Sequence, residues 1–159
     1  MKVTITTNSK QVKDRFVRLK DNLPAAMEDS ADIITDGFVS TLKSMAPVWT
    51  GQLKESIRKE KTGDGEYVIK MIKYGIVADT GRAPGFTPAI GKGFSKLQLW
   101  AGSKGIPYWT LRNWIRHHGT APTNFINRAV GDLESSKMMN EIMQHGVRNA
   151  IRKSGIGLK

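Results

Sequence analysis

The chain has 159 residues, 39% hydrophobic and 25% charged, with 25 Lys and Arg against 14 Asp and Glu for a net charge of +11. Such a balance fits one globular domain with a buried core and excludes a disordered chain. No apolar run approaches the roughly 18 residues of a membrane span, Met1-Lys2-Val3-Thr4-Ile5-Thr6-Thr7 is too polar for a secretory leader, and the absence of cysteine removes disulfides, thiolate metal sites and cysteine nucleophiles together.

Lys2 to Thr7 alternates Val3 and Ile5 with polar residues, which predicts a short edge strand. A first helix is expected from about Lys10 to Asn22, capped by Ser9, with Val12, Phe16, Val17 and Leu19 as its apolar side. Pro24 suits the first turn of a second helix. Ile33, Ile34, Phe38, Leu42 and Met45, spaced by three and four, carry that helix to Met45. Its acids (Glu28, Asp29, Asp32) come early and Lys43 late, as the helix dipole favours. Pro47 lacks an N–H and disfavours helical geometry at Ala46, so the helix should stop there. Thr50 is the candidate N-cap of a short helix from Gln52 to Arg58, with Leu53 and Ile57 as anchors and Gly51 permitting close backbone approach. Pro47, Thr50, Gly51, Leu53, Ser56 and Ile57 therefore read as a helix-break-helix hinge, with nothing in it to carry catalysis.

Thr62-Gly63-Asp64-Gly65 reads as a turn. Two short strands are expected next, Glu66 to Ile72 and Gly75 to Ala78, forming a sheet with one face covered by the long helix. Arg82 to Ile106, rich in glycine and with two prolines, reads as loop. Pro107 should start a helix from Tyr108 to His117, ended by Gly119. The last long helix is expected from Thr123 to Ile151, with Ile126, Ala129, Val130, Leu133, Ile142, Met143, Val147 and Ala150 as its buried stripe. Ser154-Gly155-Ile156-Gly157 reads as a flexible tail. The sum is an α+β fold: a small, mostly antiparallel sheet packed against a long N-terminal helix and a long C-terminal helix. It forms a single domain over 1–159, with an irregular basic insertion at about 80–118 and a flexible tail from about 153.

The hinge also carries a resemblance. Ala46-Pro47-x-x-Thr50-Gly51-x-Leu53-x-x-Ser56-Ile57, after a long amphipathic helix, resembles the hallmark of the tail-completion and minor tail (neck) proteins of long-tailed double-stranded-DNA phages. Tyr74-Gly75-Ile76-Val77-Ala78-Asp79-Thr80-Gly81 is similar to that family's tyrosine-and-turn element. Gly119-Thr120-Ala121-Pro122-Thr123-Asn124-Phe125-Ile126-Asn127-Arg128-Ala129 is similar to its entry into the last helix. Asp79 stands where a glutamate is more usual, and about 35 residues separate the two Gly-Thr-like elements, longer than an ordinary connection. The resemblance implies a structural virion protein with no enzymatic activity and no cofactor. It would form a ring of six subunits between the head connector and the tail tube or tail terminator, assembled in the host cytoplasm and ending in the virion neck.

From Thr80 to Gly131 there is no Asp or Glu, whereas Arg82, Lys92, Lys96, Lys104, Arg112, Arg116 and Arg128 supply 7 of the 11 net charges. A solvated face usually mixes signs, so this window suggests an anionic neighbour, either packaged DNA held without sequence preference or an acidic protein surface. The blander reading is that these cations only keep an irregular insertion soluble. Trp100, Tyr108, Trp109 and Trp114, with Phe86 and Phe94, lie in the same window. Aromatics among cations can stack on single-stranded bases. Leu111, Trp114 and Ile115 should nevertheless share one face of an amphipathic helix, with Arg112 and Arg116 on another, which favours ordinary packing. Arg82, Lys92, Lys96, Trp100, Lys104, Trp109, Arg112 and Arg116 are thus the candidate interface or DNA-facing residues. His117 and His118 point to different helix faces and lack a nearby carboxylate, so no metal site is expected. Gly91-Lys92-Gly93 and Gly102-Ser103-Lys104-Gly105 lack phosphate-loop spacing, and Met138, Met139 and Met143 read as core or interface. The alternative function is a basic nucleic-acid-binding module. A hydrolase has no positive sign in the sequence.

Overall fold

The computed structural model describes residues 9–48, 51–85 and 96–156, with only the backbone of Lys96 among these. The predicted strand at Lys2–Thr7 lies outside them. The elements in chain order are α1 (Ser9–Met45), α2 (Gln52–Ser56), β1 (Arg58–Gly63), β2 (Glu66–Lys70), α3 (Lys73–Thr80), α4 (Lys96–Ser103), α5 (Tyr108–His118), α6 (Phe125–Ser135) and α7 (Met138–Lys153). The fold is mostly helical with one two-stranded antiparallel sheet, and the long N-terminal helix contacts both the hairpin and the C-terminal helix. Contacts group the chain into two compact units, 1–40 with 59–69 and 131–159, and 41–58 with 70–130.

In the first unit, α1 corrects the expectation of two helices. It runs unbroken for 37 residues with Pro24 inside. The ring fixes φ near the helical value, so proline removes one N–H donor and crowds one preceding carbonyl without forcing a stop. Around Pro24 the helix is open to solvent, where water can serve that carbonyl. Further along, α7 lies so close to α1 that a Cβ on Gly146 would overlap the Ser30 hydroxyl and come within 3.0 Å of the Ala26 carbonyl oxygen. Ser30 is buried and donates its hydroxyl to Ala26 O at 2.8 Å.

The opposite side of α1 meets the hairpin. Asp64 and Gly65 form its turn, Gly65 in the left-handed region at φ 72°. Lys59 on β1 bridges Asp32 at 2.7 Å and Asp36 at 2.8 Å, and Lys61 pairs with Glu28. Tyr67 on β2 adds a hydroxyl bond to Asp32, and the Lys59 ammonium sits 5.6 Å from its ring centroid. The hydrogen bond from Lys59, then that from Tyr67, holds the Asp32 carboxyl below its ordinary 3.8. A carboxylate lowered in the folded state contributes stability above its ordinary value and loses it as pH falls through the folded one. Acid should therefore weaken hairpin docking from pH 3.8 downward. Melting temperature followed across that range should fall less steeply for Lys59→Met than for the native protein, and parallel curves would show that the pairing contributes nothing.

The C-terminal helix is two helices. The Ser135 and Ser136 hydroxyls bond back to the carbonyls of Asp132 and Leu133 at 3.1 and 2.8 Å, the local competition that serine offers a helix. The chain breaks there, and α7 starts afresh at Met138. At its far end Ser154 is fully buried rather than opening a tail. Gly155 takes φ 77°, Ile156 N–H reaches Ile151 O at 3.3 Å and Gly155 N–H reaches Arg152 O at 3.1 Å, a complete Schellman closure.

In the second unit, Leu42, Ala46, Leu53, Ile57, Ala101, Ile115, Phe125 and Ala129 form the buried core. The predicted strand at Gly75–Ala78 is helix α3 instead. Gly75 sits where a Cβ would come within 2.8 Å of Leu53 and 2.6 Å of Met71, so this helical turn packs tightly against α2. The first predicted strand survives as β2 but ends at Lys70, and its partner is β1, a segment without apolar alternation. Part of the predicted loop Arg82–Ile106 is α4, which packs on α5.

Candidate functional site

The hinge supplies Ala46, Leu53 and Ile57 to the buried core of the second unit. Helix α1 ends at Met45, and Ala46 still donates its N–H to Leu42 O at 2.9 Å before Pro47 stops the ladder. Thr50, the expected cap, lies outside the described residues. The cap position of α2 is Gly51, at φ 76°, and it makes no side-chain bond. Leu53 and Ile57 are buried at 3% and 0% exposure. Ser56 has a role the spacing did not reveal: its hydroxyl donates to Leu53 O at 2.8 Å and accepts the Ile72 N–H at 3.2 Å, tying α2 to the start of α3.

Helices α3 and α5 end alike, on Gly81 at φ 74° and Gly119 at φ 73°. The residues that follow them pair: Arg82 N–H donates to Thr120 O and Thr120 N–H to Arg82 O, both at 3.0 Å. A Cβ on Gly81 would overlap the Thr120 carbonyl, and one on Gly119 would overlap the Arg82 carbonyl. The two Gly-Thr-like elements of the sequence therefore form one clasp. Beside it, the helix-end carbonyls of α3, which need partners from outside the helix, find them. Gly81 N–H bonds Val77 O at 2.9 Å, Thr123 donates its hydroxyl to Ala78 O at 2.8 Å, and Asn124 N–H bonds Asp79 O at 3.0 Å. Buried Asp79 in turn accepts the Ile126 N–H at 2.9 Å and so caps α6 from a distance of 47 residues. The sequence marks both glycines and Asp79 as turn residues, yet their pairing across the insertion leaves no local signal.

Pro47, Leu53, Tyr74, Val77, Arg82 and Ile115 are among the residues lining a mainly apolar cavity of about 490 Å³ in this unit. Burial pushes the Tyr74 phenol above its ordinary 10.0, so it stays neutral there. Its lining among the described residues is mainly apolar and includes Arg82, Thr120 and Thr123 as polar members.

The candidate interface residues divide. Arg82 belongs to the clasp and the cavity wall; Lys92 and the side chain of Lys96 lie outside the described residues. Trp100 is half-buried on α4, and Lys104 is exposed just beyond it. On α5, Trp109 is 62% exposed, with the Arg112 guanidinium 5.5 Å from its ring, and Arg116 is exposed. Trp114 does not join Ile115 in the core as its spacing suggested. It is 53% exposed and stacks on His118 at 5.0 Å between ring centroids. One helical step of about 100° separates Trp114 from Ile115 and carries it past the edge of the buried face. Among the described residues, Tyr108 Oη and Arg112 Nε are buried and find no hydrogen-bond partner. Among the described residues no group of histidines and carboxylates could hold a metal, and no helix is long and apolar enough to cross a membrane.

No curated protein and no solved structure matches the chain. A family model does match, over residues 10–74, and its description reads "Bacteriophage HK97-gp10, putative tail-component". That span takes in α1, the hinge, α2, the hairpin and the start of α3, the region that carries the hinge string. Over residues 10–74 the chain is thus similar to the HK97-gp10-like family of that description.

Proposed function

We propose that this chain is a tail-completion protein. It assembles as a ring of six subunits at the head-proximal end of the tail, with the whole 1–159 chain acting as one neck domain. Its partners are other copies of itself, the head connector and the tail tube or terminator. The observation that carries the reading is the surface of α5: Trp109 and Trp114 stand exposed beside Arg112 and Arg116, in a stretch from Thr80 to Gly131 without a carboxylate. Exposed Trp and Arg together are the composition of a protein interface core, and the acid-free surroundings select an acidic partner. The same charge supports a second reading, in which the basic stretch lines the lumen and holds packaged DNA by its phosphates.

DNA binding by purified protein across a salt series separates the two. Lumenal contact requires binding that falls steeply with salt and flattens when Lys92, Lys96, Lys104, Arg112 and Arg116 are all changed to glutamine. A protein dock requires no DNA binding at low salt, together with failure of the same variant to join tails to heads. The exposed tryptophans favour the dock. A variant that neither binds DNA differently nor fails in joining would remove the basic stretch from the function altogether.

A further inference from the structure

We propose that the N-terminal third of α1 is a docking arm for a second copy of this chain, received by the acid-flanked methionines at the start of α7. The proposal rests on the self-assembly part of the reading above and names the surfaces involved. Every residue from Ser9 to Arg18 is exposed, Phe16 at 61% and Val12 at 45%. At 3.6 residues per turn, Val12, Phe16, Leu19 and Leu23 fall within about 60° of one another. Lys13 and Lys20 flank this stripe on one side and Arg15 and Arg18 on the other, while Asp14 and Asp21 fall on the opposite face. Further along α1 the same face is already in use: Ala26 and Ser30 lie against Gly146 of α7, and a Cβ on Gly37 would stand 3.1 Å from Met138. The exposed stripe therefore continues a seam that α7 covers for only part of its length.

The basic flanks decide what can sit there. Two arms laid together would oppose Lys13, Arg15 and Lys20 to their own copies, which like-charge repulsion disfavours. Of the carboxylates on α1, Glu28, Asp32 and Asp36 are already held by Lys61 and Lys59. The corner from Gly131 to Ile142 has the opposite character. Asp132, Glu134 and Glu141 are exposed there against one cation, Lys137, and none of the three makes an ion pair among the described residues. Met138 and Met139, 40% and 36% exposed, supply adaptable apolar surface between them. Arm and corner are different surfaces of one chain, so the contact is head-to-tail, the kind that closes into a ring.

The test is the mass of the full-length protein by light scattering over a concentration series. The arm variant is Lys13→Glu with Arg15→Glu and Lys20→Glu; the corner variant is Asp132→Lys with Glu134→Lys and Glu141→Lys; a third chain carries all six changes. Each set alone should weaken self-association about tenfold or more, and the six together should restore it, because the swapped charges again oppose. Phe16→Asp should weaken it without rescue. Melting temperature checks that each variant is folded. If native protein and all variants associate alike, the arm proposal falls and the ring stands. If native protein is monomeric throughout, both fall. If the single sets disrupt but the six do not rescue, or if arm variants assemble normally yet fail only in joining to tails, the occupant is not a second copy.

Discussion

Gly119→Val is expected to lower stability by about 3 kcal/mol or more, enough to leave little folded protein at growth temperature. Two penalties combine at this position. The residue holds φ 73°, where a side chain is strained, and a β-branched one most of all. Its Cβ would also overlap the backbone of Arg82, so relief requires the Arg82–Thr120 pairing to open. Gly81→Val should behave the same way, since its Cβ would overlap the Thr120 carbonyl. Gly105→Ala is the control: φ is 67°, yet no atom lies within 4 Å of the added Cβ, so only the backbone strain of about 1 kcal/mol remains. Urea unfolding midpoints measure the difference. Equal midpoints for Gly119→Val and Gly105→Ala would mean that the clasp adds nothing to the stability of its unit.

Gly146→Leu is expected to cost about 3 kcal/mol for a different reason, because a helical glycine carries no backbone strain. The loss comes from the separation of α1 and α7, whose approach leaves no room for a Cβ beside the Ser30 hydroxyl. A smaller change shows the mechanism. Gly146→Ala should be destabilising alone and less so with Ser30→Ala, since removing Oγ clears the nearest obstruction and leaves Ala26 O at 3.0 Å. A double-mutant cycle by thermal or urea unfolding reads this as a favourable coupling. Additive effects would place the obstruction elsewhere.

What could be read from the sequence was what is decided within a few residues. Pro47 ends α1 and Gly119 ends α5 because a missing donor and a left-handed residue act locally, whatever the rest of the chain does. Asp64-Gly65 turns the hairpin for the same reason. Of the stripe Ile33, Ile34, Phe38, Leu42 and Met45, the helical period placed Leu42 in the core, whereas Ile33 is 55% exposed. The misreadings occur where distant contacts decide. Gly75-Ile76-Val77 has the composition of a strand, yet Leu53 across a tight contact and the N–H groups of Thr123 and Asn124 select a helix with its carbonyl end toward them. Pro24 reads as a helix start because that is where proline is most comfortable; its tolerance inside α1 depends on an exposed face. In the candidate interface, periodicity placed Trp114 in the core, while the actual rotation of α5 leaves it in solvent, stacked on His118. Asp79 and the clasp pair residues on either side of the insertion, and no local pattern records such a partnership.

The Arg82–Thr120 bridge also sets how freely the intervening stretch can change. Its two strand-like residues hold the ends of that stretch side by side, so everything from Ala83 to Gly119 is a closed excursion from an anchored base. The entropy of closing such an excursion grows only with the logarithm of its length, and doubling it costs about 0.6 kcal/mol. The unusual length noted between the two Gly-Thr-like elements thus carries little thermodynamic penalty. Lengthening or shortening the stretch that bears α4 and α5 should therefore cost the fold little so long as both glycines stay in place.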